Sequence, residues 1–201
     1  MIIIGLTGSV AMGKSTAAAM LSRLGVPVFD ADASVHMLTG PGGKALPALK
    51  TIFPEAVTSA GLDRQAVGAS VFQNPEKKQA LERVLHPLVR SAQIAWIQRQ
   101  RRARASHCVL DIPLLFETGG DKRVDVVFVV SAPAALQRRR ALARQGMTTQ
   151  KLDGILAAQV PDPIKRQRAD FVIPTGAGKA TTLRALKKAL KRAKKGRRSG
   201  R

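Results

Sequence analysis

The chain of 201 residues has one cysteine, Cys108, one asparagine, Asn74, no tyrosine, and aromatic residues at only 3%. A single cysteine excludes an internal disulfide framework and a multi-thiolate zinc site. With only Trp96 and six phenylalanines, a base-stacking platform for single-stranded nucleic acid is poorly supplied. No apolar run approaches the roughly 18 residues of a membrane span; the strongest, residues 126–130, is of strand size, so no membrane insertion is expected. The opening Met1-Ile2-Ile3-Ile4 has no cationic stretch before its apolar residues and no cleavage site after them. A secretory signal is therefore not expected, and the expected location is cytoplasmic. Acids are scarce too, 13 against 34 Lys and Arg, for a net charge of +21.

That charge is unevenly spread. Residues 184–201 hold ten Lys and Arg and no acid, which leaves residues 1–183 with 24 basic against 13 acidic, a net of +11. A basic body suits polyanionic small substrates as well as nucleic acid. Hydrophobic content of 45% is that of a globular chain and excludes a wholly disordered one.

Apolar runs near residues 2–6, 26–29, 108–112, 124–130 and 171–173 read as strands, the second near a sheet edge because of Pro27. Helical stretches follow or intervene, at residues 14–24, 134–144 and 149–159, and a last amphipathic one carries Leu183, Leu186, Leu190 and Ala193. Continuous apolar strands alternating with helices predict an α/β fold, a parallel sheet flanked by helices. Residues 35–107 carry few strand signals and read as a helical insertion. The expected organisation is a core of residues 1–34 and 108–195, a helical insertion at 35–107, and a basic disordered tail at 196–201.

The chemistry is concentrated after the first strand. Gly8-Ser9-Val10-Ala11-Met12-Gly13-Lys14-Ser15 fits the phosphate-loop pattern G-x-x-x-x-G-K-[ST] in full, between an apolar strand and a helix. Successive backbone N–H groups can wrap an anionic phosphate there, and the helix N-terminus adds partial positive charge. Lys14 would reach the β- and γ-phosphates and the Ser15 hydroxyl would coordinate Mg²⁺, so ATP with Mg²⁺ is the expected ligand. A guanine-reading Asn-Lys-x-Asp element is absent, since Asn74 precedes proline. No Leu-Ser-Gly-Gly-Gln-type signature occurs, which leaves small P-loop kinases as the leading class.

A phosphoryl transferase must also orient a nucleophile and neutralise charge on the moving group. Asp30 and Asp32 follow Val28-Phe29, in a strand expected to run beside the P-loop strand, and Asp111 ends the next strand. Ligands in open α/β sheets sit beyond such strand ends. Asp30 reads equally as a helix N-cap. Arg140 and Arg144, one predicted helical turn apart, can close over phosphates. Arg138, Arg139 and the run at residues 99–102 read as solvated surface, and His86 alone reads as a surface helix terminus.

Together these residues resemble the dephospho-coenzyme A kinase family. The likeness runs through Val28-Phe29-Asp30-Ala31-Asp32, Leu62-Asp63-Arg64, Val71-Phe72-Gln73-Asn74-Pro75 and Leu85-His86-Pro87-Leu88-Val89-Arg90. It continues in Asp111-Ile112-Pro113-Leu114-Leu115-Phe116-Glu117, Gln137 with Arg140 and Arg144, Ala157-Ala158-Gln159 and Ala169-Asp170-Phe171-Val172-Ile173. The resemblance implies a P-loop core, a coenzyme-binding helical region, and a mobile lid near residues 137–165. It implies transfer of the ATP γ-phosphoryl group to the ribose 3′-hydroxyl of dephospho-CoA, giving CoA and ADP. By the same resemblance Lys14, Asp32 and Arg140 are catalytic. Gly8, Ala11, Met12, Gly13, Lys14, Ser15, Thr16 and Arg144 hold the nucleotide, and Asp32, His86, Arg90, Asp111 and Glu117 meet the acceptor. A carboxylate is a weak base at neutral pH, so Asp32 would act mostly by orientation. The family loop commonly has glycine where this chain has Ala11, a difference that matters if that residue needs positive φ.

Two other readings fit parts of the pattern. Another small-molecule P-loop kinase, with a nucleotide or sugar-like alcohol as acceptor, accounts for the loop, acids and arginines. A basic nucleic-acid-binding module with an incidental P-loop accounts for the charge alone; otherwise nucleic acid is expected only as a nonspecific partner of the basic tail.

Overall fold

In the computed structural model, which describes residues 1–196, helices and strands alternate as β1 (Ile2–Thr7), α1 (Lys14–Arg23), β2 (Val28–Asp30), α2 (Ala31–Thr39), α3 (Leu46–Ile52), β3 (Val57–Thr58), β4 (Gly61–Leu62), α4 (Arg64–Gln73) and α5 (Pro75–Arg102). There follow β5 (His107–Asp111), β6 (Val126–Ser131), α6 (Ala134–Leu142), α7 (Thr149–Ala157), α8 (Asp162–Arg168), β7 (Phe171–Pro174) and α9 (Lys179–Gly196). The chain divides into two units, one of Met1–Phe29 with Gln100–Arg201 and one of Asp30–Arg99.

The first unit is built on a five-stranded sheet in the order β2-β5-β1-β6-β7, with parallel pairing of β1 to β5 and β6, and of β6 to β7. Why its strands are apolar throughout is clearest in β6. Phe128 and Val130 join Ile4, Leu6, Leu21 and Leu186 in one core cluster, while Val127 and Val129 join Leu115 and Phe116 in another. Side chains of alternating parity thus bury on both faces of the sheet. Helix α9 contributes Leu186 to the first cluster and packs Leu190 against it, as its spacing predicts, and Ala189 joins them. The tail expected over residues 196–201 lies, beyond Gly196, outside the described residues.

In two places the structure differs from expectation. β2 does not run beside the P-loop strand; β5 lies between them, because β5 pairs with β1 and its Val109 N–H donates to the Pro27 carbonyl just before β2. Pro27 does precede the edge strand, where a missing N–H costs no ladder bond. Helix α8 was not anticipated: Pro161 is its N-cap and Pro163 occupies its first turn, where proline is tolerated. Asp30, at the end of β2, caps α2: its carboxylate accepts the Ala33 N–H at 2.9 Å.

The second unit packs Ala45, Leu49, Phe53, Ala56 and Val67 into its own core, against Leu81, Val84, Leu85 and Leu88 of α5. Those α5 residues stand at i, i+3, i+4 and i+7 and make one apolar stripe. His86 and Arg90 fall outside it and are exposed. Helix α5 continues through Pro87, so His86 is not a helix terminus. A two-residue antiparallel hairpin, β3 with β4, sits in this otherwise helical unit.

Candidate active site

The P-loop joins β1 to α1 by a path that two glycines make possible for different reasons. At Gly8 a Cβ would overlap the Val130 side chain and come within 2.8 Å of the Val130 carbonyl oxygen. At Gly13 the backbone is left-handed, φ +88°. Ala11 is left-handed as well, at φ 59°. A left-handed conformation costs an L-residue about 1–2 kcal/mol. The Ala11 methyl offsets part of that by packing with Ala141 and Leu152 in a small buried cluster.

The loop's peptide groups are held from several sides. Gln159 Oε1 accepts the Val10 N–H at 3.1 Å and Gln137 Nε2 donates to the Val10 carbonyl at 2.9 Å. The Met12 N–H donates to the Ser9 carbonyl, and Thr175 Oγ1 donates to the Met12 carbonyl at 2.6 Å. The first helical bond of α1 runs from the Ala17 N–H to the Gly13 carbonyl, with no side-chain cap on the helix. The N–H groups of Lys14, Ser15 and Thr16 therefore have no intrahelical acceptor, the arrangement that binds anions at helix N-termini.

Lys14 Nζ is 2.5 Å from Asp111 Oδ1 at the end of β5, and the two side chains are 17% and 7% exposed. The adjacent pairing of β1 and β5 places them together, Leu6 standing opposite Asp111 in the register. Arg140 donates to the Thr175 carbonyl at 2.8 Å, so it is tied to the same residue that latches the loop at Met12. Arg144 lies past the end of α6, in the turn where its N–H meets the Ala141 carbonyl, and does not share a helical face with Arg140. Arg138 pairs with Asp153, both half-exposed or more, a contact of the kind that contributes little.

Among the described residues no group of three or more His, Cys, Asp or Glu is placed to hold a metal ion. A Mg²⁺ ion bound with a nucleotide keeps most of its waters and phosphates and takes one or two protein oxygens. The exposed Ser15 hydroxyl in the first turn of α1 is such a donor.

Glu117, expected at the acceptor, has partners within the protein. Its Oε1 accepts the Val160 N–H at 2.9 Å and lies 2.9 Å from Nζ of the fully buried Lys165, and its Oε2 is buried. Burial alone would raise the Glu117 carboxyl, but Lys165 and the Val160 N–H hold it below the usual carboxylate range. Asp32, His86 and Arg90 belong to the second unit and are exposed; Asp32 sits in the first turn of α2 rather than at a strand end.

Sequence reasoning missed Thr175 and Lys165, and valued Gln137 and Gln159 only within a resemblance. A Cβ at Gly13 would meet Thr175 Cβ at 3.2 Å, a spatial relation with no local signal. In so basic a chain nothing separates Lys165 from Arg166 and Arg168 beside it.

Comparison with known proteins bears on these residues. The sequence profile of the dephospho-CoA kinase family matches residues 2–180. A dephospho-CoA kinase of Paramagnetospirillum magneticum is 58% identical over 164 residues, 82% of this chain and 77% of that protein. One of Rhodospirillum rubrum is 51% identical over 96% of this chain and 92% of its own. The solved dephospho-CoA kinase from Campylobacter jejuni superposes with a TM-score of 0.72 at 27% identity, covering 97% of this chain and 98% of its own.

Proposed function

Because the chain belongs to the dephospho-CoA kinase family, we propose that this cytoplasmic, ATP-dependent kinase moves the γ-phosphoryl group of ATP to the ribose 3′-hydroxyl of dephospho-CoA, giving CoA and ADP. The observation that carries the reading is an intact P-loop with its lysine on a strand-end carboxylate, inside a family match that spans nearly the whole chain.

Phosphoryl transfer through a loose transition state asks the protein mainly for position and charge. Lys14 exchanges part of its contact with Asp111 for β- and γ-phosphate oxygens, while the N–H groups of Lys14, Ser15 and Thr16 face the growing negative charge. Ser15 would hold Mg²⁺ with the nucleotide, and the ion supplies charge neutralisation when bound. Arg140 and Arg144 add cations from the α6 side. Asp32 orients the acceptor hydroxyl and takes its proton as the new O–P bond forms and the bond to the β-phosphate oxygen breaks. His86 and Arg90, four residues apart on α5 and so on one helical face, recognise the anionic acceptor. Asp111 serves from beside Lys14.

The exposed cations Arg184, Lys187, Lys188, Lys191, Arg192 and Lys194 of α9 support nonspecific contact with nucleic-acid phosphates. Removing residues 196–201 should weaken salt-dependent DNA binding and leave turnover intact. The kinase reading itself is tested by coupled ADP release with dephospho-CoA, AMP, CMP and shikimate as acceptors. Turnover with dephospho-CoA well above the others is expected; preference for another acceptor would reject it.

A further inference from the structure

Lys165 is fully buried, and Glu117 is its only ion-pair partner among the described residues. A lysine so placed is unusual, since ammonium groups leave water only for a paired site. The surrounding contacts indicate what the pair holds. Glu117 Oε1 also accepts the Val160 N–H, and the neighbouring residue, Gln159, accepts the Val10 N–H of the P-loop. Helix α8, which carries Lys165, is pinned to the sheet where Ser131 Oγ donates to Asp162 Oδ2 at 2.7 Å. Further along, Arg168 donates to Asp121 at 2.9 Å and lies over the Phe116 ring at 4.4 Å. One short path thus runs from Lys165 through Glu117 and Val160 to Gln159 and the phosphate loop.

We infer that Lys165 and Glu117 are positioning residues for ATP: their ion pair fixes the 159–160 segment so that Gln159 keeps the Val10 N–H, and the P-loop keeps its shape. The pair touches no substrate. Its effect falls on nucleotide binding and leaves acceptor binding alone, contrary to the acceptor role that family resemblance implies for Glu117. The charges are needed only because each would be unpaired without the other; what the loop requires is an acceptor for the Val160 N–H. The inference rests on ATP occupying the P-loop.

The test measures ATP affinity by calorimetry, and KM for ATP and for dephospho-CoA, in the parent, Lys165→Met, Glu117→Gln, Gln159→Ala, Lys165→Met with Gln159→Ala, and Glu117→Gln with Lys165→Met. Each single variant should weaken ATP binding roughly 3- to 10-fold, the size of one lost hydrogen bond, with the dephospho-CoA KM unchanged. Lys165→Met should add little on top of Gln159→Ala, because both act on one contact. The neutral pair Glu117→Gln with Lys165→Met should restore ATP affinity, since a glutamine amide oxygen still accepts the Val160 N–H and no charge is left unpaired. A merely structural pair would lower stability without that selective loss and recovery. The inference is overturned if folded single variants bind ATP as the parent does, if only the dephospho-CoA KM rises, or if the neutral pair stays as weak as the singles. Calorimetry needs no acceptor, so a parent that binds ATP but fails to phosphorylate dephospho-CoA would reject the proposed function and not this inference.

Discussion

The P-loop and helix α5 hold their polar groups in opposite ways. In the loop, Val10 and Met12 are held through their peptide groups by Gln137, Gln159, Ser9 and Thr175, and Lys14 lies on a nearly buried aspartate. On α5, none of whose residues is fully buried, His86 and Arg90 stand in solvent outside the apolar stripe. A loop that must keep amides convergent on a small anion needs its geometry fixed before the ligand arrives. An exposed arginine needs only a rigid helix beneath it. Substitutions in the first region should therefore disturb fold and chemistry together, whereas those in the second should change one binding constant.

The largest expected departure from that division is at Asp32, exposed like Arg90 yet assigned to chemistry. Asp32→Asn should lower turnover by roughly 10²–10⁴, the usual range for general acid–base groups, with ATP affinity little changed; stopped assays with both substrates saturating would show it. A rate near the parent's would remove Asp32 from the mechanism. Within the loop, Gly8→Ala must push a methyl into Val130 and its carbonyl, and should cost about 1–3 kcal/mol of stability by urea unfolding, as overpacking does. Arg90→Ala, by contrast, should raise the dephospho-CoA KM roughly tenfold, as losing a charge-assisted hydrogen bond would, with the ATP KM and the melting temperature unmoved. Equal rises for both substrates would erase the contrast between the regions. The smallest effect is expected at Ala11. Ala11→Gly relieves the left-handed backbone but frees the unfolded chain and empties a methyl-sized space beside Ala141 and Leu152, opposing terms of about 1 kcal/mol each. Thermal melts should move by only a few degrees.

The same two regions show what was legible in the sequence. The loop could be read because a phosphate site dictates glycine, lysine and serine at fixed spacing within one strand–turn–helix, so the information is local. The five strands could be read because both faces of the sheet are buried, which leaves them continuously apolar. What escaped was non-local. That β5 separates β2 from β1 depends on how the chain returns from the second unit. That Lys165 is buried depends on Glu117, 48 positions away in the chain, and on helix α8, which the sequence pattern did not anticipate. Thr175 reaches the loop through an oxygen 2.6 Å from the Met12 carbonyl, across 163 positions. Charge misled in the other direction: a chain this basic makes each lysine look solvated, so the one that matters to the interior carries no mark.

The central claim, that this P-loop passes a phosphoryl group from ATP to the 3′-hydroxyl of dephospho-CoA, is tested most directly by following γ-labelled ATP to its product. With the parent enzyme the label should appear as a 3′-phosphomonoester on CoA, and the folded Lys14→Ala variant should form it at least about a hundredfold more slowly, as when a group facing transition-state charge is removed. Label released as inorganic phosphate with none on CoA, or transfer by Lys14→Ala at the parent's rate, would contradict it.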